Sequence, residues 1–412
     1  MNDARRVVVT GLGVVSPVGS DVDTAWENLS KGFNGIGPIT YFDTTGYKAT
    51  LAAQVRDFDP AAYLDRSQIL RSDRFAQYAI GAAVQAVEES GVIGTLAPER
   101  VGVYFGSGIG GLSTLSDQIG ILDRRGPHRV SPLCVPMMIA NMAAGMIAIR
   151  YDCQGAALPA VTACASGSNA IGEAVRAIRH GYADAMITGG SEASIVPVGI
   201  AGFVNMKALS VSADPNAASL PFDARRAGFV IGEGAAALVL EEYEHAKARG
   251  AKIYGEVVGY GSTCDAYHIT APRPEPIGST RAIEQALREA GYTDADRVYI
   301  NAHGTGTPLN DVGETQAIKN ALGTDAAGKA LISSTKSMTG HMLGAAGAIE
   351  ALVCLKVLQT GIVPPTINLL EPDPACDLNY VPNQAVEASI DLCVSNSLGF
   401  GGHNASLAFR KV

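Results

Sequence analysis

Cys164 lies in Val161-Thr-Ala-Cys-Ala-Ser-Gly-Ser-Asn169, between an apolar strand-like segment and a helix that the pattern starts near Ser166. A thiol at a helix N-terminus sits at the positive end of the dipole, which favours the thiolate. The run of small residues predicts a sharp turn that exposes the sulfur, as a nucleophile elbow exposes its serine. Taken alone, Cys164 reads more simply as an inert buried thiol, because free cysteines are among the most buried residues. The cysteines at 134, 153, 264, 354, 376 and 393 lack this setting and read as core or surface thiols.

Two histidines share an unusual context. His303 follows the strand-like Val298–Asn301 and opens His-Gly-Thr-Gly-Thr307, and His341 follows Ser333-Ser-Thr-Lys-Ser-Met-Thr-Gly340. Both fall in glycine-rich turns at predicted strand ends, where α/β proteins place their chemistry. Lys336 lies on the same turn as His341, and a nearby ammonium lowers an imidazole pKa. Either histidine alone reads equally as a satisfied turn residue. No H-x-x-x-H or Cys/His pairing is present, so no metal is expected. Gly399-Phe-Gly-Gly-His403 is a third glycine turn, with Phe400 free to move or simply part of the core. His180 reads as a helix C-terminal cap and His245 as a solvated helix residue; His128 and His268 have no site-like setting.

The elements that must hold these residues occur twice. A helical pattern over Asp73–Ser90, the strand Val101–Phe105 and a glycine turn are matched by a helix over Thr280–Ala290, the strand Arg297–Asn301 and the turn at His303. The strand, turn and helix of Val161–Gly181 are matched by Ser333–Gly361, and Gly232–Leu240 by Gly401–Phe409. Such alternation predicts an α/β fold with mostly parallel sheets covered on both faces. Two copies predict a layered α/β/α/β/α body of halves 1–255, with the cysteine, and 256–412, with the His/Lys/His set. Val7–Val9 reads as a buried strand entering a glycine turn, and Val135–Ile149 as a buried helix, too short to span a membrane. Gly106-Ser-Gly-Ile-Gly-Gly111 lacks the acidic residue a dinucleotide fingerprint requires and reads as a tight crossover turn.

Of the 412 residues, 47% are hydrophobic and 17% charged, which suits a large core and excludes disorder. The net charge of -9 argues against nucleic acid or an anionic membrane as partner. An odd number of cysteines, seven, without C-x-x-C fits reduced thiols and a cytoplasmic location.

Together these segments resemble the β-ketoacyl-acyl-carrier-protein synthases of the thiolase-like superfamily, the elongating type II members most closely. The resemblance runs end to end. It includes Val9–Pro17, Thr162–Gly167, Pro221–Asp223, Gly228–Gly234, Asn301–Thr305, Ser334–Gly344, Pro364–Asn368 and Asn396–Gly402. It implies a thiolase-like five-layer α/β/α/β/α fold of two duplicated halves, and decarboxylative condensation of malonyl-acyl-carrier protein with an acyl group carried on Cys164. By motif, His303, His341 and Lys336 correspond to the histidine pair and lysine that act on the malonyl group. The backbone N–H groups of Cys164 and Phe400 correspond to the oxyanion hole. Thr305 and Thr307 look like the pair that binds the pantetheine arm, Phe400 like a gate with Phe229 on the opposite wall, and Ile109 like the limit of the acyl pocket. Asp311 and Glu314 are expected to steady Lys336 or the loop around it. The resemblance implies no cofactor beyond the phosphopantetheine on the substrates, an acyl carrier protein as partner, and a homodimer to which Val135–Ile149 contributes.

Some positions depart from the family. Gly306 stands where the fatty-acid enzymes often carry serine, Thr305–Asp311 looks closer to polyketide synthases, and His403 replaces a common threonine. Several basic positions of the usual carrier-protein patch are missing over Asp65–Arg74, where Arg66, Arg71 and Arg74 remain. Lys207, Arg124, Arg125 and Arg129 are candidates to supply the attraction to an acidic carrier. A specialised polyketide-type ketosynthase is the alternative within the class. A thiolase reading is opposed by Phe400 where a second cysteine would stand, and a non-enzymatic chain-length partner subunit by the presence of Cys164.

Overall fold

The computed structural model describes residues 5–412. The main sheet contains β1 (Val7–Val15), β2 (Val101–Gly106), β3 (Ala157–Ala160), β4 (Ala185–Glu192), β5 (Gly234–Glu242), β6 (Gly255–Cys264), β7 (Val298–Asn301), β8 (Leu331–Ser333), β9 (Leu392–Gly399) and β10 (His403–Arg410). The helices that position the site are α1 (Arg74–Ser90), α2 (Leu112–Arg125), α3 (Met142–Tyr151), α4 (Ser166–Arg179), α5 (Ile277–Glu289), α6 (Pro308–Leu322) and α7 (Ala346–Thr360).

The strand order β8-β7-β9-β10-β6-β1-β5-β4-β2-β3 is one pattern written twice. In the first copy β1 pairs with β5 and β5 with β4 antiparallel, then β4 with β2 and β2 with β3 parallel. In the second, β6, β10, β9, β7 and β8 repeat those directions in the same sequence. The sheet is therefore mixed, not mostly parallel as the alternation of elements predicted. The exceptions are β5 and β10, which run back alongside β4 and β9; β10 does so directly, through the tight turn that carries Phe400.

Among the described residues the two half-sheets pair as strands only at Val8↔Glu256 and Val9↔Gly255. Beyond that contact the two central strands diverge, and side chains from the outer helices meet their free N–H groups. Glu89 of α1 accepts from Leu12 N–H at 3.0 Å and Gln85 from Val14 N–H at 3.1 Å. Glu289 of α5 accepts from Tyr260 N–H at 3.2 Å and Gln285 from Ser262 N–H at 3.1 Å. A Cβ at Gly11 or Gly13 would collide with the Ala86 or Ala82 carbonyl, and one at Gly259 or Gly261 with Ala286 or Ala282. These glycines lie inside strands because a helix backbone presses on them. That also corrects the N-terminal expectation: the strand continues through Gly11 and Gly13 to Val15 instead of turning there.

α4 and α7 fill the space between the half-sheets and share one apolar cluster with both. α1 and α3 cover the outer face of the first half, α5 and α6 that of the second, completing five layers. Leu343–Thr360 is long and apolar enough to cross a membrane, but 83% of it is buried inside the protein, as a core helix must be. The expected buried helix over Val135–Ile149 is instead two helices, Cys134–Met138 and Met142–Tyr151, and Val135 and Ile149 are exposed. The break admits the Gly110–Gly111 turn: Gly111 N–H donates to the Met138 carbonyl at 2.9 Å, and a Cβ on either glycine would strike this segment.

Candidate active site

Each half sends a strand, a tight turn and a central helix to the same place. After β3 the chain makes a single turn at Ala163–Ala165 and enters α4, with Ala163 forced to φ 50°. After β8 it passes through the short helix Lys336–Thr339, His341 and the turn Leu343–Ala345, with Leu343 at φ 47°, and enters α7. After β7 it delivers His303, and after β9 it delivers Phe400. Cys164, His303, His341, Thr305, Thr307, Phe229 and Phe400 all line one cavity.

Cys164 is 7% exposed, and burial pushes its thiol up to about 12. Lys336 and the Phe400 N–H act in the opposite direction, but burial prevails. Burial therefore works against the thiolate that the helix N-terminus favours. Gly399 is essential to this geometry, because a Cβ there would sit 2.7 Å from the Thr162 carbonyl and 3.2 Å from Cys164 N.

The His303 and His341 rings stand edge to face, 5.2 Å apart between centroids, and the Phe229 ring packs 5.0 Å from His341. Burial, followed by the Lys336 charge, drives both imidazoles well below their ordinary pKa, so both are neutral. Lys336 itself is 1% exposed and forms an ion pair with Glu350 of α7. Burial raises Glu350 to about 7 against the pull of Lys336.

The carboxylates have divided roles. Glu314 accepts the His303 and Gly304 N–H groups, each at 2.8 Å, and fixes the histidine turn. Asp311 accepts the Phe222 N–H at 2.8 Å and the Gly306 N–H at 3.2 Å, and stands 3.8 Å from Arg226. Both therefore steady the loop, while the hydrogen-bonded partner of Lys336 is Glu350, which sequence reasoning missed. The signal was present: Glu350 is the only ionisable acid or base among Ala346–Val353, in a helix otherwise apolar there.

A second omission is Glu192, at the end of β4 and fully buried. Its Oε2 accepts Gly108 N–H at 2.8 Å and Gly344 N–H at 3.1 Å, and its Oε1 accepts Ile109 N–H at 3.3 Å. Burial raises it to about 7. One carboxylate thus joins the crossover turn of the first half to the turn that follows His341.

Thr305 and Thr307 hydroxyls lie 2.9 Å apart at the side of the cavity. Ile109 is 40% exposed and does not line the Cys164 cavity of the single chain. Arg66, Arg71, Arg124, Arg125, Arg129 and Lys207 are exposed without an ion-pair partner among the described residues, whereas Arg74 stacks on Tyr41 and stands 3.6 Å from buried Glu233. His245 is not solvated as expected, since its Nδ1 bonds to buried Glu241. Among the described residues no group of three His, Cys, Asp or Glu is disposed to hold a metal ion.

A buried thiol at a helix N-terminus, with two neutral imidazoles sharing its cavity in a duplicated five-layer α/β/α/β/α fold, defines a cysteine-dependent acyl-transfer enzyme of the thiolase-like kind. Family models for the beta-ketoacyl synthase N-terminal and C-terminal domains match residues 4–246 and 254–370. The chain belongs to the beta-ketoacyl synthase family.

It is 54% identical over 411 residues to the 3-oxoacyl-(acyl-carrier-protein) synthase 2 of Synechocystis sp., covering 99% of both chains. It is 50% identical over 412 residues to the protein of that name from Coxiella burnetii, covering 100% of this chain and 99% of that one. Among solved structures it resembles a beta-ketoacyl synthase from Burkholderia phymatum, at TM-score 0.91 and 37% identity over 99% of this chain and 100% of that one. It also resembles a chain from the complex of a type II polyketide synthase acyl-carrier protein with its ketosynthase bound to the hexaketide. There the TM-score is 0.92 and the identity 35%, over 100% of both chains.

Proposed function

We propose that the protein joins malonyl-acyl-carrier protein to an acyl group held on Cys164, with loss of CO₂, to give β-ketoacyl-acyl-carrier protein in fatty-acid elongation. The observation that carries this reading is one cavity lined by the Cys164 thiol and two neutral imidazoles. The Cys164 sulfur attacks the acyl thioester, its proton leaves with the departing pantetheine thiol, and the N–H groups of Cys164 and Phe400 hold the carbonyl oxygen as it gains charge. Malonyl thioester then enters, and its C–C bond to the carboxylate breaks. The electron pair becomes an enolate whose oxygen accepts from N–H groups of His303 and His341. A neutral imidazole supplies such a donor without becoming a competing acid, so neutrality of both rings is what the step requires. The enolate carbon attacks the acyl carbonyl, and Cys164 leaves as thiolate and recovers a proton.

The two halves divide this work: residues 1–255 supply the nucleophile, and residues 256–412 the histidines and Lys336. No cofactor is called for, because the thioesters and the lost CO₂ provide the driving force. An acidic acyl carrier is the partner suited to the free cations Arg71, Arg124, Arg125, Arg129 and Lys207. A homodimer is suited to β3, an edge strand with an unpaired outer side and exposed Leu158. Seven free cysteines suit the cytoplasm. The polyketide alternative is less well supported: the ketosynthase–carrier complex is 35% identical, against 50% and 54% for the synthase 2 relatives.

Intact-protein mass spectrometry after incubation with acyl-carrier proteins of graded chain length tests the reading. One acyl group per chain, absent in Cys164→Ala together with condensation, is the expected result. Condensation by Cys164→Ala would overturn it.

A further inference from the structure

Among the described residues that line the Cys164 cavity there is one arginine, Arg273, and no lysine. Its one ion-pair partner is a loose one. Arg273 Nε is buried without a hydrogen bond, and the carboxylate beside it, Glu275, is 3.9 Å away and 73% exposed. The acidic residues of the cavity are already engaged. Asp265 accepts the Asn404 amide at 2.8 Å and the Arg273 backbone N–H at 3.3 Å, while Glu314 holds the His303 turn. The guanidinium is therefore a cation at the cavity wall with donors to spare, in a chain of net charge -9.

Burial orders the lining from inside to outside. Cys164, His303, His341 and Thr305 are buried, Thr307, Thr270 and Arg273 are half-buried, and Pro272 is exposed. The arm that carries a thioester on an acyl carrier has a matching order of chemistry: sulfur, then amides, then a phosphodiester with one negative charge. With the sulfur at Cys164 and the amides along Thr305 and Thr307, the phosphodiester falls at the solvent end.

We propose that Arg273 binds the phosphate of the phosphopantetheine arm at the mouth of this cavity. This rests on the reading of the site as one that accepts carrier-bound thioesters. A guanidinium suits the task, because its planar fork can donate two parallel N–H bonds to phosphate oxygens. The site recognises the prosthetic arm itself, apart from any attraction between protein surfaces, and so acts on every carrier regardless of its sequence.

The test compares octanoyl-pantetheine with octanoyl-phosphopantetheine as acyl donors, reading acylation of Cys164 by mass and its kcat/KM. Wild type is expected to prefer the phosphorylated donor by about tenfold, the scale of a charge-assisted hydrogen-bonded pair at a half-exposed site. Arg273→Ala should erase that preference. Arg273→Lys, which keeps the charge and loses the fork, should retain part of it. A wild type indifferent to the phosphate, or an Arg273→Ala that keeps the full preference, overturns the proposal. Failure of both donors and of acyl-carrier protein to label Cys164 in wild type would instead sink the reading of the whole site, and this proposal with it.

Discussion

The imidazoles of His303 and His341 meet edge to face at 85°, 5.2 Å apart, although 37 positions of sequence and different strands separate them. The Nδ1 of each is buried without a hydrogen-bond partner, and both rings line the Cys164 cavity. Replacing either ring should remove one donor from the enolate oxygen and leave the thiol chemistry alone. His303→Ala and His341→Ala are each expected to slow condensation by about a hundredfold or more, while Cys164 is still acylated. Parallel assays of condensation and of Cys164 mass labelling separate the two; loss of both together would refute the assignment.

The same pair predicts a pH dependence. Burial and Lys336 hold both imidazoles well below their ordinary value, so the neutral form is lost only as pH falls through that depressed range. Condensation measured with a stable carrier should therefore show no inflection near the ordinary imidazole value of about 6.5. An acid limb centred there, removed by either histidine substitution, would contradict the neutral-pair reading.

Lys336 and Glu350 provide a stability test. Removing one member of a fully buried ion pair strands the other, at a cost of about 3–5 kcal/mol, whereas removing both for apolar residues of similar size costs much less. Lys336→Met should melt well below wild type, and Lys336→Met with Glu350→Leu above the single variant. Additive losses in thermal melts would show that the two side chains are not coupled.

Glu192 makes stability depend on pH in a direction opposite to an ordinary paired carboxylate. Burial raises its folded-state pKa from 4.5 to about 7. Between those values the folded chain holds a proton that the unfolded chain has released, so this group's contribution is present at acid pH and is lost as pH rises through about 7. Glu192→Gln stays neutral throughout. The stability of wild type relative to Glu192→Gln should fall by about 1–3 kcal/mol between pH 5 and 8. Urea midpoints at the two pH values measure it, and a difference that grows with pH would refute it.

What the sequence disclosed and what it hid follow from the range of the interactions. The strand, turn and helix around Cys164 and around His341 are local patterns, and the repeated order of elements exposed the duplication. The partner of Lys336 was hidden because Glu350 is 14 residues away, and only the packing of α7 between the half-sheets turns it inward. Glu192 was hidden for a stronger reason: its donors, Gly108, Ile109 and Gly344, come from both halves of the chain. The antiparallel β5 and the glycines inside β1 escaped because strand direction and helix pressure are tertiary facts. The burial that opposes the thiolate at Cys164 was hidden too, because the dipole is a local signal and burial is not.

The edge strand β3 gives the last prediction. It pairs with β2 on one side only, and Leu158 and Val161 are 51% and 53% exposed, close to the turn that carries Cys164. An apolar strand with an open edge is a template for pairing with a second copy, and soluble proteins rarely leave one bare. If β3 is the seam of a homodimer, Leu158→Lys places a charge against its own image across the two-fold axis and disfavours association. The variant should sediment as a monomer where wild type sediments as a dimer. Because β3 leads directly into the Ala163–Ala165 turn, condensation should fall along with the dimer and recover at high protein concentration. A wild type that is monomeric at micromolar concentration, or a Leu158→Lys variant that is still dimeric, would place the interface elsewhere.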